Sequence, residues 1–188
     1  MIELGAHLRD VLEAVPEAIL EIDAAGQILL VNVAAEQMFG YGRRELLTLN
    51  VDALVPTAQR NIHARHRLGY ARQPKRRTMG TGLLLEGQRR DGFLFPVEIS
   101  LSPNHSRKDL TVIVSVRDIT DRKQAERALR ESEAKFRTLA HLVPQFVWMC
   151  TPDGLNVYFN QRWVDYLHRS DAGRKLWQGV EHSFSSRR

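Results

Sequence analysis

The sequence predicts an α+β domain, a five-stranded antiparallel sheet with short helices on one face and linker helices at both ends. Three observations carry this. Two short apolar runs, AILEID (18–23) and QILLVN (27–32), flank Ala24-Ala25-Gly26, a tight turn whose glycine can take positive φ. Asp91-Gly92 is a second hairpin turn, followed by FLFPVEISL (93–101), in which Phe93, Phe95, Val97, Ile99 and Leu101 share one face. Between the hairpins lies a stretch of helical character broken by Gly40, Gly42, Asn50 and Pro56. Strand, strand, helices and three more strands is the order of a layered α+β fold.

Each element has its own signal. Leu4, Leu8, Val11, Leu12 and Val15 fall at helical spacing, so residues 1–16 are an amphipathic flanking helix that Pro16 stops. Asn32 ends the second strand and can cap a helix starting at residue 33. Residues 33–56 form short helices, 57–71 a longer one, and RQPKRR after it a basic loop. Residues 80–90 form the third strand, and 93–101 the fourth, with Pro96 at an irregular or edge position. LTVIVSVRD (110–118) is the fifth, with Val112, Val114 and Val116 on one face. Thr120-Asp121 caps a charged helix to residue 142, whose stripe Ala125, Leu129, Ser132, Phe136 and Leu139 has the coiled-coil period. So narrow a stripe is marginal alone; a second copy of the helix would bury it.

Composition bounds the function. Apolar residues make up 43% and charged residues 26% of 188, ordinary values for a packed core. Cys150 is the single cysteine, which excludes an internal disulfide and a CxxC site. No apolar run approaches the roughly 20 residues of a membrane helix, and the N-terminus lacks a signal-peptide core, so a soluble, cytoplasmic fragment without membrane contact is expected. The net charge is +5, but from Arg169 onward five basic residues face two acidic ones, so +3 of it sits in the tail. That is a poor footprint for nucleic-acid binding, and none is expected. No paired carboxylates, Ser/His/Asp set or metal cluster points to an enzyme.

The chain repeats itself at an offset of 128. Arg9 matches Arg137, Val15-Pro16 matches Val143-Pro144, Gly26 matches Gly154 and Asn32 matches Asn160. The expected organisation is a flanking helix (1–16), a complete domain (17–119), a linker helix (120–142) and the truncated start of a second domain (143–188). Beyond Tyr166 the pattern departs from the first copy, and a reading frame moved by one nucleotide would allow a peptide that continues it. A frameshifted or truncated gene is one reading; a short ordinary tail is the other.

VPEAILEIDAAGQILLVNVAAEQMFGY resembles the start of a PAS domain, and RRDGFLFPVEISLS with VIVSVRDITDRKQAE resembles its C-terminal PAC part and exit helix. The resemblance covers about residues 5–130, and its start recurs at 136–166. It implies a sheet whose inner face and helices can enclose a small-molecule pocket, here with Ile62, Leu83, Leu85, Ile99, Leu101, Val114 and Val116 as candidate lining. It also implies homodimerisation through the flanking helices and a downstream output domain, most often a histidine kinase or a diguanylate cyclase. Asp118-Ile119-Thr120 resembles the family's hinge between last strand and exit helix, through which the signal is relayed.

His63 resembles in placement, and in its spacing to Asp91-Gly92, the heme-ligating histidine of FixL-type oxygen sensors. Those relatives carry an arginine where this chain has Leu83, which cannot donate to a bound gas. His66 lies on nearly the same helix face. The readings to separate are therefore a ligand- or partner-sensing module, a heme gas sensor and a structural dimerisation domain. Flavin photochemistry is not expected, because Cys150 lies in the second copy's first strand. The basic stretch Arg60, Arg65, Arg67, Arg72, Lys75, Arg76 and Arg77 reads as a solvated helix face and loop rather than an anion site. His141, in AHLVPQ, lacks the residues that come after a kinase phosphoacceptor, and no glycine-rich ATP box is present.

Overall fold

A computed structural model of the chain describes residues 2–79, 85–104 and 109–169. They fall into two compact units, divided between Lys123 and Gln124.

The first unit opens with α1 (Ile2–Ala14), then β1 (Ala18–Asp23) and β2 (Ile28–Val31), an antiparallel hairpin pairing Leu20 with Val31. Gly26 takes φ +86° in its turn, and its N–H donates to Asp23 O at 3.0 Å. A side chain would be strained there. Next come α2 (Val33–Phe39), α3 (Arg43–Leu46), the 3₁₀ turns Val51–Leu54 and Thr57–Gln59, and α4 (Arg60–Arg72). The remaining strands are β3 (Arg77–Met79), β4 (Leu85–Gln88), β5 (Leu94–Asn104) and β6 (Thr111–Asp118).

The sheet runs β2-β1-β6-β5, and both β3 and β4 pair with the far side of β5. Six strand segments thus occupy five lanes. Across β1, β6 and β5, Leu20 faces Val114 and Val114 faces Leu101, while Ala18 faces Val116 and Val116 faces Ile99. Strand alternation puts all six on one face. There they meet Phe39, Leu46, Val51 and Leu54 from the short helices in one hydrophobic core.

Two expectations are corrected, and a third is narrowed. The third lane begins at Arg77, inside the segment read as a basic loop, rather than at residue 80; residues 80–84 lie outside the described residues. An outer lane needs only backbone pairing, so charged residues serve in it. Phe93 is not on the buried face: it sits in the Asp91-Gly92 turn, 59% exposed, and β5 starts one residue later. Of the two readings of Pro96 the edge strand is excluded, since β5 has neighbours on both sides, and the irregular position remains. Pro96 lies just beyond the last β5–β6 pair, Val97–Asp118, and its carbonyl accepts from Ile119 N at 3.0 Å.

Helix α5 (Thr120–Leu142) begins in the first unit and ends in the second, which continues with β7 (Trp148–Cys150), β8 (Asn156–Phe159) and α6 (Gln161–Arg169). Gly154 takes the same φ of 86° as Gly26, and its N–H donates to Thr151 O as that of Gly26 does to Asp23 O. No helix among the described residues is long and apolar enough to cross a membrane.

Candidate functional site: a cavity under helix α4

The sheet face, the short helices and α4 enclose a cavity of about 320 Å³. That volume suits a small ligand. Ile62, Leu85, Ile99, Leu101, Val114 and Val116 all lie on its wall, with Leu20, Phe39, Val51 and Leu54. Leu83, the remaining candidate, lies outside the described residues. The walls are mostly apolar, so a bound molecule would be held chiefly by burial of carbon surface. Polar groups enter mainly from α4, which contributes His63, His66, Arg67 and Tyr70.

Helix α4 has no buried residue. Polar contacts hold it instead. Arg60 donates to Val55 O, Ala53 O and Gln88 Oε1. Asp52 Oδ1 lies 2.5 Å from His63 Nδ1, and Asp52 Oδ2 accepts from Arg67 at 3.0 Å. Arg67 also donates to Ala24 O in the β1–β2 turn at 3.0 Å. Its guanidinium crosses Gly26 so closely that a Cβ there would sit 2.6 Å from Arg67 Cζ. Burial raises the Asp52 carboxyl, but hydrogen bonds and charge from Arg67 and His63 outweigh it and leave the group below its ordinary pKa.

Asp52 and Arg67 are site residues that the sequence alone did not reveal. The reading of the basic stretch as wholly solvated is corrected at Arg67, whose side chain is only 13% exposed. Arg77 follows neither pattern: its backbone is in the sheet and its guanidinium lies over the Tyr70 ring at 4.9 Å.

An ionised carboxylate only accepts, so Nδ1 of His63 carries the proton it shares with Asp52 and Nε2 is the nitrogen left for another partner. Carboxylate-oriented imidazole on an apolar cavity is a donor arrangement that fits axial heme ligation. No cluster of three or more metal-ligating side chains exists among the described residues.

At the other end of the sheet the hinge residues come together. Asp118 Oδ1 accepts from Thr120 N at 2.9 Å and from Thr120 Oγ1, capping α5. Asp118 Oδ2 accepts from Arg89 at 3.0 Å. The Arg89 guanidinium lies over the Phe95 ring at 4.6 Å, and Phe95 packs on cavity-lining Phe39 with ring centroids 5.8 Å apart. Ile119 is buried. Cavity wall and helix cap are thus joined by three consecutive side-chain contacts.

The family model described as PAS fold matches residues 6–119. The chain belongs to the PAS family. Sensor protein FixL of Bradyrhizobium diazoefficiens is 32% identical over 136 residues, which cover 72% of this chain and 27% of that protein. This PAS chain therefore spans about a quarter of that relative's length. A PAS domain from a two-component sensor histidine kinase superimposes with TM-score 0.53 at 24% identity, covering 63% of this chain and 99% of that one. The PAS domain of an HTR-like protein from Haloarcula marismortui gives 0.55 at 24%, covering 63% and 93%. These two likenesses show the fold.

Proposed function

We propose that this PAS chain is the sensory part of a bacterial signalling protein, without catalytic activity of its own, in which an occupant of the cavity biases helix α5. The observation that carries the reading is the run from Phe39 through Phe95 and Arg89 to Asp118 and Thr120. A ligand that displaces Phe39 moves Phe95. Phe95 carries the guanidinium stacked on it, and that guanidinium holds the carboxylate that caps α5. The helix passes the change to an output domain, a histidine kinase or a cyclic-di-GMP enzyme, and works as a homodimer through its exposed Leu129, Phe136 and Leu139.

The test fills the cavity. Val114→Trp in the full chain should alter amide exchange in the first turn of α5 without unfolding the sheet. Unchanged exchange there would leave only a structural dimerisation domain.

A second reading is supported by the Asp52–His63 pair and by the likeness to FixL: a heme-based gas sensor with His63 Nε2 as axial ligand. Heme would supply reversible binding of a diatomic gas; the chain's part is to orient the imidazole and keep water out. Purification after growth with heme precursor should give a Soret band that His63→Ala abolishes. A colourless parent protein rules this reading out and leaves the first one intact.

A further inference from the structure

Asn32 and Asn160 occupy matching places in the two units, and both are fully buried. Asn32 Oδ1 accepts from Ile19 N at 2.9 Å and Ala35 N at 3.1 Å; its Nδ2 donates to Leu12 O, Val15 O and Glu17 O. Asn160 repeats this 128 residues on. Its Oδ1 accepts from Val147 N and Trp163 N, both at 3.2 Å, and its Nδ2 donates to Ala140 O and Gln145 O, both at 2.9 Å. One side chain therefore joins three things: the closing turn of a helix, the chain entering the first strand, and the first turn of the next helix. A carboxamide suits this role because its oxygen can accept two bonds while its NH2 group donates two more in the opposite direction.

In the first unit the helix so gripped is α1. In the second it is α5, the same helix that Asp118 caps at its start. We propose that Asn160 is the positioning residue through which the second unit receives a change carried by α5. This rests on the relay proposed above and extends it to a receiver. A shift that starts at the Asp118 cap reaches the Ala140 carbonyl along the helix. Asn160 turns it into a displacement of Val147, where the chain enters β7, and of Trp163 in α6. Asn160 is fully buried and its bond to Ala140 O is shielded from water, so breaking that bond when the helix moves is costly and the strand and α6 follow.

The two halves of the carboxamide can be separated. Asn160→Asp keeps an acceptor for Val147 N and Trp163 N but cannot donate to Ala140 O. Asn160→Ser keeps a cap for α6 and is too short to reach α5. The readout is already in the chain: Trp148 and Trp163 belong to the second unit, and no tryptophan precedes Trp148 in the sequence.

The experiment is a double-mutant cycle in the full chain, with Asp118→Ala as the disturbance. Asp118→Ala should free the first-turn amides of α5 and shift the tryptophan emission maximum. With Asn160→Asp or Asn160→Ser present, the amides should still be freed while the emission shift falls below about half its size, a non-additivity expected only of coupled sites. An equal shift in both backgrounds overturns the proposal, because Asn160 then only stabilises the second unit. Loss of the second unit's fold in both Asn160 variants does the same. Freed amides with unmoved emission in the parent overturn it too, while leaving the relay from cavity to α5 standing. If Asp118→Ala frees no amides, that relay fails as well.

Discussion

The Arg89 guanidinium bridges two groups of opposite character: it lies 4.6 Å over the Phe95 ring and 3.0 Å from the Asp118 carboxylate. The ring belongs to the core and the carboxylate to the cap of α5. Arg89 is one-third exposed, so neither contact is strong in isolation. Replacing it by alanine should cost on the order of 1 kcal/mol and lower Tm by several degrees. The specific outcome is faster exchange of the Thr120 amide, beyond what the change in global stability explains. Lysine in its place should restore part of the pairing and little of the stacking. Equal Thr120 exchange in all three proteins would separate the core from the cap.

Asp52 predicts an acid dependence. Its folded carboxyl, although pushed up by burial, is held below the ordinary value by Arg67 and His63. A depressed folded pKa means that the unfolded state binds the proton more readily. The stabilisation is therefore complete above about pH 4 and is lost as pH falls through the folded value. Asp52→Asn should lose about 1–3 kcal/mol at neutral pH. Urea titrations should show parent and variant converging below about pH 4. A gap that stays constant on acidification would show that Asp52 acts by shape alone.

Gly87→Ala tests close packing beside the cavity. A Cβ there would lie 2.9 Å from Phe95 Cζ and 3.0 Å from Cε1, with Val97 Cγ1 at 3.3 Å. Phe95 and Val97 are both buried and cannot swing away without moving Phe39 or the sheet. The expected cost is about 1–3 kcal/mol, measured by chemical denaturation. Because the ring that must shift carries Arg89, the variant should also change exchange at the start of α5.

Asn32→Ala removes five hydrogen bonds from a fully buried side chain and leaves two N–H groups without it as acceptor. A loss of about 2–4 kcal/mol is expected, more than the ~1 kcal/mol of an ordinary cap. Circular dichroism should show the loss of α1 before the sheet melts. A cost below about 1 kcal/mol would mean that the clasp is dispensable.

How far these residues could be read from the sequence depended on the range of the interaction involved. The strands from Ala18 to Val31 and from Thr111 to Asp118 are legible because alternation and tight turns are local signals. So is the agreement between Asn32 and Asn160, which needs only comparison of the chain with itself. The lane at Arg77 is hidden, because its place is set by backbone bonds to Leu101 and Ile99, some twenty residues away. Phe93 reads as core because alternation does not say where a strand starts. His63 and Arg67 lie four residues apart on one helix face, a spacing that suggests a shared partner. That the partner is Asp52, ahead of the helix by more than two turns of chain, emerges only when α4 folds back over the 3₁₀ turn.

Helix α4 covers the cavity without lending a single buried residue to the core. The cavity wall thus has two parts: sheet and short-helix residues that also form the core, and a face of α4 that does not. Substitutions at exposed, cavity-lining positions of α4 such as Ile62 and His66, which leave the Asp52 pairs intact, can change what the cavity accepts while the sheet keeps its own support, so selection can refit the receptor to a new chemical cue without first having to rescue its folding.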